Sequence, residues 1–132
     1  MANVTKKFEL VMDDTIKLSD GTILYRIRAL IAFSDIKPGE LGGYVEKESN
    51  LSVSGNAWVY GDARVYGDAR VSGDARVYDD ARVSGNAWVY GNARVYGDAQ
   101  VYGSARVSGD AWVYGDAWEV SPLQIQGTNW FL

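Results

Sequence analysis

The chain has 132 residues, of which 47% are hydrophobic and 13% aromatic, and it contains neither cysteine nor histidine. This apolar content suits one domain with a buried core and excludes a disordered chain, while the missing cysteines exclude disulfides and thiolate metal sites. With 13 basic and 17 acidic residues the formal net charge is −4, which argues against binding to duplex nucleic acid.

The beginning of the sequence lacks the long apolar run of a secretory signal. No stretch reaches the roughly 18 apolar residues that a membrane-spanning helix requires. We therefore expect a cytoplasmic protein with no membrane partner.

Residues 1–50 are predicted to form a β-rich N-terminal cap. Short apolar runs predict strands at Phe8–Met12, Ile16–Leu18 and Ile23–Ala29. Turn-forming residues predict a turn at 19–22 and a loop at 37–39 and 42–43 that leads into the next segment.

The following segment, residues 51–118, is dominated by a repeat of six residues. Valine recurs at every sixth position from 53 to 113 and alanine from 57 to 117, usually separated by a Gly-Asp or Gly-Asn pair. An α-helix would displace successive valines by about 120° around its surface. In a short strand, by contrast, the alanine and valine share one side, and the Gly-Asx pair can turn a corner. Each hexad therefore predicts one strand and one corner of a β-solenoid whose rungs stack about 4.8 Å apart.

The last segment, residues 119–132, departs from the repeat where Glu119 breaks the valine register. We expect it to form a C-terminal cap or tail. Its apolar end, Trp130-Phe131-Leu132, suggests docking on this chain or on a partner chain.

The hexads resemble the hexapeptide-repeat family, whose units combine an aliphatic residue, a glycine-containing turn and a small residue two positions before the next aliphatic. The resemblance implies an all-β fold, a left-handed triangular β-helix of about four coils. Many members carry glycine directly after the aliphatic residue, where this chain has Tyr or Ser. Residues 33–45, with Asn50-Leu51-Ser52, are also similar to phage-encoded and bacterial hexapeptide-repeat proteins of unassigned activity. Trimers are common among such relatives, which implies a homo-oligomer, with a trimer as our expectation.

An 18-residue coil sorts the outward residues into three sides, and one side carries an unbroken tyrosine column. The predicted partner- or ligand-binding residues are this column and its neighbours, Tyr60, Tyr78, Tyr96, Tyr114, Trp58, Arg76, Arg94 and Trp112. Three interpretations remain open: stacking between rungs, an oligomer interface, and a platform that stacks bases and binds phosphate through arginine.

Aspartates recur at the predicted corners, away from the arginine columns (Asp62, Asp68, Asp74, Asp80, Asp98, Asp110 and Asp116). Because Asp and Asn tolerate left-handed backbone and close local turns, we interpret them as turn residues and predict no metal site.

The named enzymes of the hexapeptide-repeat family are mostly acyltransferases that use a histidine as general base. This chain has no histidine and no inserted loop in the array, so we predict no enzyme, no catalytic residue and no cofactor. The leading hypothesis is a non-enzymatic binding or assembly protein. The phage-encoded relatives suggest an inhibitor of host defence in the host cytoplasm, which sequesters a small nucleotide signal or occludes a defence protein. The alternatives are a structural virion or polymer-forming solenoid and, more remotely, a degenerate acyltransferase.

Overall fold

The computed structural model describes residues 7–53 and 55–114, together with the backbone of two short strands at 124–125 and 130–131. Three longer strands come first: β1 (Phe8–Lys17), β2 (Ile23–Ala29) and β3 (Leu41–Val45). A 3-10 turn follows at Glu48–Asn50. Two- and three-residue strands then succeed each other: β4 (Trp58–Val59), β5 (Arg64–Val65), β6 (Arg70–Val71), β7 (Arg76–Val77), β8 (Arg82–Val83), β9 (Trp88–Val89), β10 (Arg94–Val95), β11 (Gln100–Val101), β12 (Arg106–Val107), β13 (Trp112–Tyr114), β14 (Gln124–Ile125) and β15 (Trp130–Phe131).

The short strands stack in parallel with every third strand, which makes three sheets. The tyrosine face is the outer side of sheet β4-β7-β10-β13-β15, and the tryptophan face is that of β6-β9-β12-β14. The third sheet contains β3, β5, β8 and β11, and β2 and β1 extend it. In β4 and β7, Trp58 pairs with Arg76, so one coil is 18 residues long. The predicted all-β solenoid of about four turns is confirmed, whereas its left-handed winding stays a prediction.

The interior of the solenoid consists of the two periodic residue types. Every alanine from 57 to 111 and every valine from 59 to 113 is fully buried. No rung encloses a core by itself, so burial of these side chains depends on the coils above and below.

The first coil breaks the period at Val53, which was predicted to point inwards but is 47% exposed. Leu51 takes the interior position instead and bridges to Val71, 20 residues on. Val45 likewise pairs with Val65. The prediction for Val53 is therefore wrong, because the first coil is two residues longer than the others.

The N-terminal strands are antiparallel among themselves and continue into the solenoid, since β3 pairs antiparallel with β2 and parallel with β5. The predicted turn at 19–22 is present, with the Leu18 N–H donating to the Thr22 carbonyl at 2.8 Å. The separate strands predicted at Phe8–Met12 and Ile16–Leu18 are wrong, because β1 runs through this region with a bulge between Val11 and Thr15.

The loop predicted at Gly42-Gly43 is also wrong, because both glycines lie inside β3. A Cβ atom at Gly42 would lie 2.5 Å from the Val59 carbonyl oxygen, and one at Gly43 would lie 2.6 Å from that of Ala63. The glycines therefore permit close approach of two backbones and do not form a turn.

The first rung needs substitutes for the hydrogen-bond donors of a missing preceding coil. In later coils an alanine carbonyl accepts from the backbone of the preceding coil, as in Arg76 N–H to Ala93 at 3.0 Å. Three different donors serve the first rung: the Tyr44 N–H for Ala63 (2.9 Å), the Asn50 side-chain amide for Ala69 (2.9 Å) and the Lys7 ammonium for Ala57 (2.6 Å). These contacts cap one end of the solenoid.

The predicted segment boundaries at 50 and 118 stay predictions. The C-terminal cap predicted over 119–132 lies outside the described residues, apart from β14 and β15, which add one strand each to two sheets. Among the described residues, no helix has the length and apolarity needed to cross a membrane.

Candidate functional site

The tyrosine face carries an open groove of about 830 Å³ where arginine, tyrosine and aspartate meet. Strands β7 and β10 place Arg76 and Arg94 in register on neighbouring rungs. Tyr60 and Tyr78 lie beside them in the lining. Of the other predicted site residues, Tyr96, Tyr114 and Trp112 continue the same face on the following rungs.

Trp58 is the predicted site residue that this face does not expose. It is fully buried, and its ring lies 5.2 Å from that of Phe33 and 6.3 Å from that of Phe8, both edge to face. Its indole nitrogen has no hydrogen-bond partner among the described residues. The prediction that Trp58 belongs to an exposed surface is wrong, because the N-terminal segment covers the first rung of this face.

The tyrosine column is held together by its own rings. Tyr78 lies 4.9 Å from Tyr96 with an interplanar angle of 1°, and Tyr96 lies 4.9 Å from Tyr114 at 11°. Tyr60 meets Tyr78 edge to face at 6.3 Å. The predicted stacking between rungs is therefore confirmed. Because neighbouring rings cover each other, the stacked part of the column presents ring edges and hydroxyl groups to a partner.

Burial raises the pKa of the Tyr60 and Tyr78 phenols above the usual value of 10, although nearby Arg76 and Arg94 respectively oppose the shift. Both phenols are therefore protonated at neutral pH and can donate as well as accept hydrogen bonds.

The two arginines form no ion pair with any carboxylate in residues 7–53 and 55–114. Arg76 donates to the Ser34 hydroxyl at 3.1 Å, and the Arg94 guanidinium lies 5.3 Å from the centre of the Trp112 ring. Adjacent like charges in register oppose each other, so a partner that supplies acceptors to both guanidinium groups gains favourable interactions.

Four aspartates line the opposite side of the groove: Asp62, Asp79, Asp80 and Asp98. Among the described residues none of these aspartates makes an ion pair with Arg76 or Arg94, so the separation of the acidic corners from the arginine columns stays a prediction. With two arginines against four aspartates, the lining has an excess of negative charge. No group of three or more acidic side chains among the described residues is arranged to hold a metal ion.

Asp79 is a groove residue that the sequence reasoning missed. It occupies the glycine position of its corner with a φ of 61°, which disfavours residues other than glycine by roughly 1–2 kcal/mol. Its carboxylate accepts from the Gly97 N–H at 3.2 Å. The available signal was the Asp79-Asp80 pair, which stands where neighbouring hexads have Gly-Asp. Strained backbone is concentrated at functional sites, so the conformation of Asp79 favours the groove as a binding site.

Comparison with known proteins identifies the repeat and not an activity. Residues 63–77, 75–91, 87–103 and 99–115 match the YdcK Beta solenoid repeat. No curated protein matches the chain. The match includes the groove residues from Arg76 to Asp98 and leaves Tyr60, Asp62 and the N-terminal strands outside it. Residues 63–115 are therefore similar to the YdcK Beta solenoid repeat, which covers less than half of the chain.

Proposed function

We propose that this chain is a non-enzymatic binding protein that docks a basic segment of a partner protein in the groove of the tyrosine face. One observation carries the proposal: one open groove brings together tyrosine edges, four carboxylates and two arginines that make no ion pair within the described part of the chain. Tyrosine and arginine are enriched in protein interfaces, and charged groups at an interface favour a partner that places opposite charges against them.

The ring geometry favours a protein over a nucleotide. A base that stacks needs a free aromatic face, whereas Tyr78 and Tyr96 lie parallel at 4.9 Å and cover each other. The negative excess of the lining also opposes a phosphate group. A basic segment places its own cations against Asp80 and Asp98, while its backbone carbonyls accept from Arg76 and Arg94.

The resemblance of residues 33–45 and 50–52 to phage-encoded proteins supports a narrower form of the proposal. In that form the chain occludes a host defence protein in the host cytoplasm, and the groove covers the basic segment of that protein. A homotrimer would present three such grooves and raise the effective concentration for a multivalent partner. Light scattering of the purified chain tests this oligomeric state. We expect a single species with the mass of three chains, and a monomer or open-ended fibres would contradict the homotrimer.

A direct test uses a fluorescein-labelled peptide of alternating Arg and Gly, followed by fluorescence anisotropy. We expect saturable binding that weakens at least fivefold in Asp98→Lys. Asp110→Lys changes the same position of another Gly-Asp corner, outside the groove, and is expected to bind as the wild type does. Equal binding by both variants contradicts the proposal.

A second arm measures melting temperature with cyclic and ADP-ribose-type nucleotides. We expect no shift. Stabilisation by a nucleotide that is lost in Arg94→Ala would instead support nucleotide sequestration and overturn the choice of a protein partner.

A further inference from the structure

The tryptophan face carries a second cluster of exposed aromatic and cationic side chains. Arg70, Trp88 and Arg106 lie in register on three successive rungs. The guanidinium groups of Arg70 and Arg106 lie 5.7 and 5.2 Å from the centre of the Trp88 ring. Trp88 is 41% exposed. Each arginine is thus held by the indole while its hydrogen-bonding edge remains available.

A groove of about 570 Å³ adjoins Trp88 and has an apolar wall. Leu51 and Val53 contribute to that wall. Val53 is exposed because the first coil is two residues longer than the others, so the irregular coil creates an apolar surface that a regular hexad would bury. Arg70 and Glu48 are the charged residues of the lining.

The charge of this face differs from that of the other two. The corner that precedes it contains Asp68, Asn86 and Ser104, and Asp68 is held by Lys47 at 2.9 Å. The corner between the tyrosine face and the third sheet contains aspartate in every described coil. Neither Arg70 nor Arg106 makes an ion pair with a carboxylate in the described part of the chain. The two corners that flank this face contain three aspartates, Asp68, Asp74 and Asp110, so its two arginines have fewer neighbouring carboxylates than the two on the tyrosine face.

These observations indicate the chemistry of the occupant. Arg70 and Arg106 are two rungs apart, which corresponds to about 10 Å, and guanidinium groups bind carboxylates in bidentate pairs. An apolar side chain between two carboxylates would lie against Trp88 and Val53. A nucleic acid fits less well, because a base that stacks needs a free aromatic face, and both faces of the Trp88 indole are covered by arginine.

We propose that the Arg70–Trp88–Arg106 ladder and its adjoining groove form a second docking surface, which binds an acidic segment of a partner protein with an apolar residue between its carboxylates. This surface is independent of the tyrosine groove, because it lies on a different sheet and attracts the opposite charge.

The experiment selects a display library of random 12-residue peptides on the immobilised full chain. Wild-type protein is expected to enrich peptides in which Asp or Glu flanks a large apolar residue. Arg106→Glu is expected to lose this enrichment. Arg82→Glu reverses an exposed arginine at the same hexad position on the third sheet and is expected to retain it.

The most enriched peptide is then titrated by fluorescence anisotropy. We expect its Kd to rise at least tenfold in Arg106→Glu, Arg106→Gln and Trp88→Ala, and to change less than twofold in Arg82→Glu and in the tyrosine-groove variant Asp98→Lys. Circular dichroism verifies that each variant is folded, and Arg106→Gln provides a milder change should charge reversal unfold the chain.

Three results would overturn the proposal. The first is that the wild-type protein enriches peptides without acidic residues, or that the Arg106→Glu variant enriches the same peptides as the wild type. The second is tighter binding of a 20-residue oligothymidylate than of the peptide, which would assign the face to nucleic acid. The third is a change of oligomeric mass in Arg106→Glu, which would make a second copy of this chain the occupant.

Discussion

Asn50 offers a sharp test of how the first rung is capped, because this fully buried side chain uses all of its hydrogen-bonding capacity. Its oxygen accepts from the Glu46 and Lys47 N–H groups at 3.0 and 2.9 Å. Its amide donates to the Gly67 and Ala69 carbonyls at 3.2 and 2.9 Å. The substitution Asn50→Asp preserves the shape and the two accepted bonds, but it turns an oxygen towards both carbonyls.

The expected loss of stability follows from the two bonds that Asn50→Asp removes. The Ala69 carbonyl lies in a buried contact and the Gly67 carbonyl in a partly buried one. A buried polar group without a partner costs about 1–3 kcal/mol, so the variant is expected to lose about 2–4 kcal/mol of unfolding free energy. That is a large fraction of the roughly 5–15 kcal/mol typical of a domain.

Urea unfolding at pH 7, followed by tryptophan fluorescence, measures this loss. Asn86→Asp at an exposed corner is the control and is expected to change stability by less than about 0.5 kcal/mol. The deficit of Asn50→Asp should shrink at acidic pH, because a protonated carboxyl can again donate to Ala69. If Asn50→Asp and Asn86→Asp lose the same unfolding free energy, the Asn50 side chain does not stabilise the first rung.

Three further predictions concern stability. Burial lowers the pKa of Lys7 from 10.5 to about 8, so between these pH values the unfolded chain binds more protons than the folded chain. The unfolding free energy should therefore rise by about 1 kcal/mol from pH 8.5 to 9.5. Urea unfolding at both pH values should show this rise in the wild type and not in Lys7→Met. A Cβ atom at Gly61 would have no neighbour within 4 Å, whereas one at Gly85 would lie 2.9 Å from the backbone of the next corner. Thermal unfolding should therefore show a loss of about 1–2 kcal/mol for Gly61→Ala, from its positive φ alone. Gly85→Ala should lose about 1–3 kcal/mol more than Gly61→Ala, because it also causes a steric clash. Trp58→Ala should lower the unfolding free energy by about 3–5 kcal/mol, because Trp58 is fully buried. Trp112 is 38% exposed, so Trp112→Ala should lower it by only about 1 kcal/mol. Equal losses of the two variants in urea unfolding would contradict the role assigned to burial.

The period of six predicted the solenoid because each hexad repeats the same physical solution. A small and a branched apolar residue two positions apart must share one side of a strand, and this alone places Ala93 and Val95 in the interior. The first coil could not be predicted in this way. Leu51 replaces Val53 because two extra residues are accommodated there, and their effect depends on contacts with the following coil.

The site was predictable to the extent that it follows from register. The 18-residue coil correctly placed Arg76 beside Arg94 and aligned the tyrosines. It could not show that Trp58 is covered, because the covering residues lie more than 20 positions away and outside the repeat. Nor did the period reveal how the corner aspartates relate to the groove, since they were interpreted only as turn residues.

A constant interior and a variable exterior allow one scaffold to present opposite charge patterns on neighbouring faces. Alanine and valine fill the core in every described hexad from 57 onwards, so a change from Gly-Asp to Gly-Ser at a corner alters surface charge with little effect on packing. Because rungs repeat about every 4.8 Å, equivalent changes align into columns and their charges act together. Aspartate corners thus accumulate beside the tyrosine column, whereas Asn86 and Ser104 place no carboxylate at the corners before Trp88 and Arg106. The difference between the two faces arises from outward positions that contribute little to the core, which is why it points to recognition and not to folding.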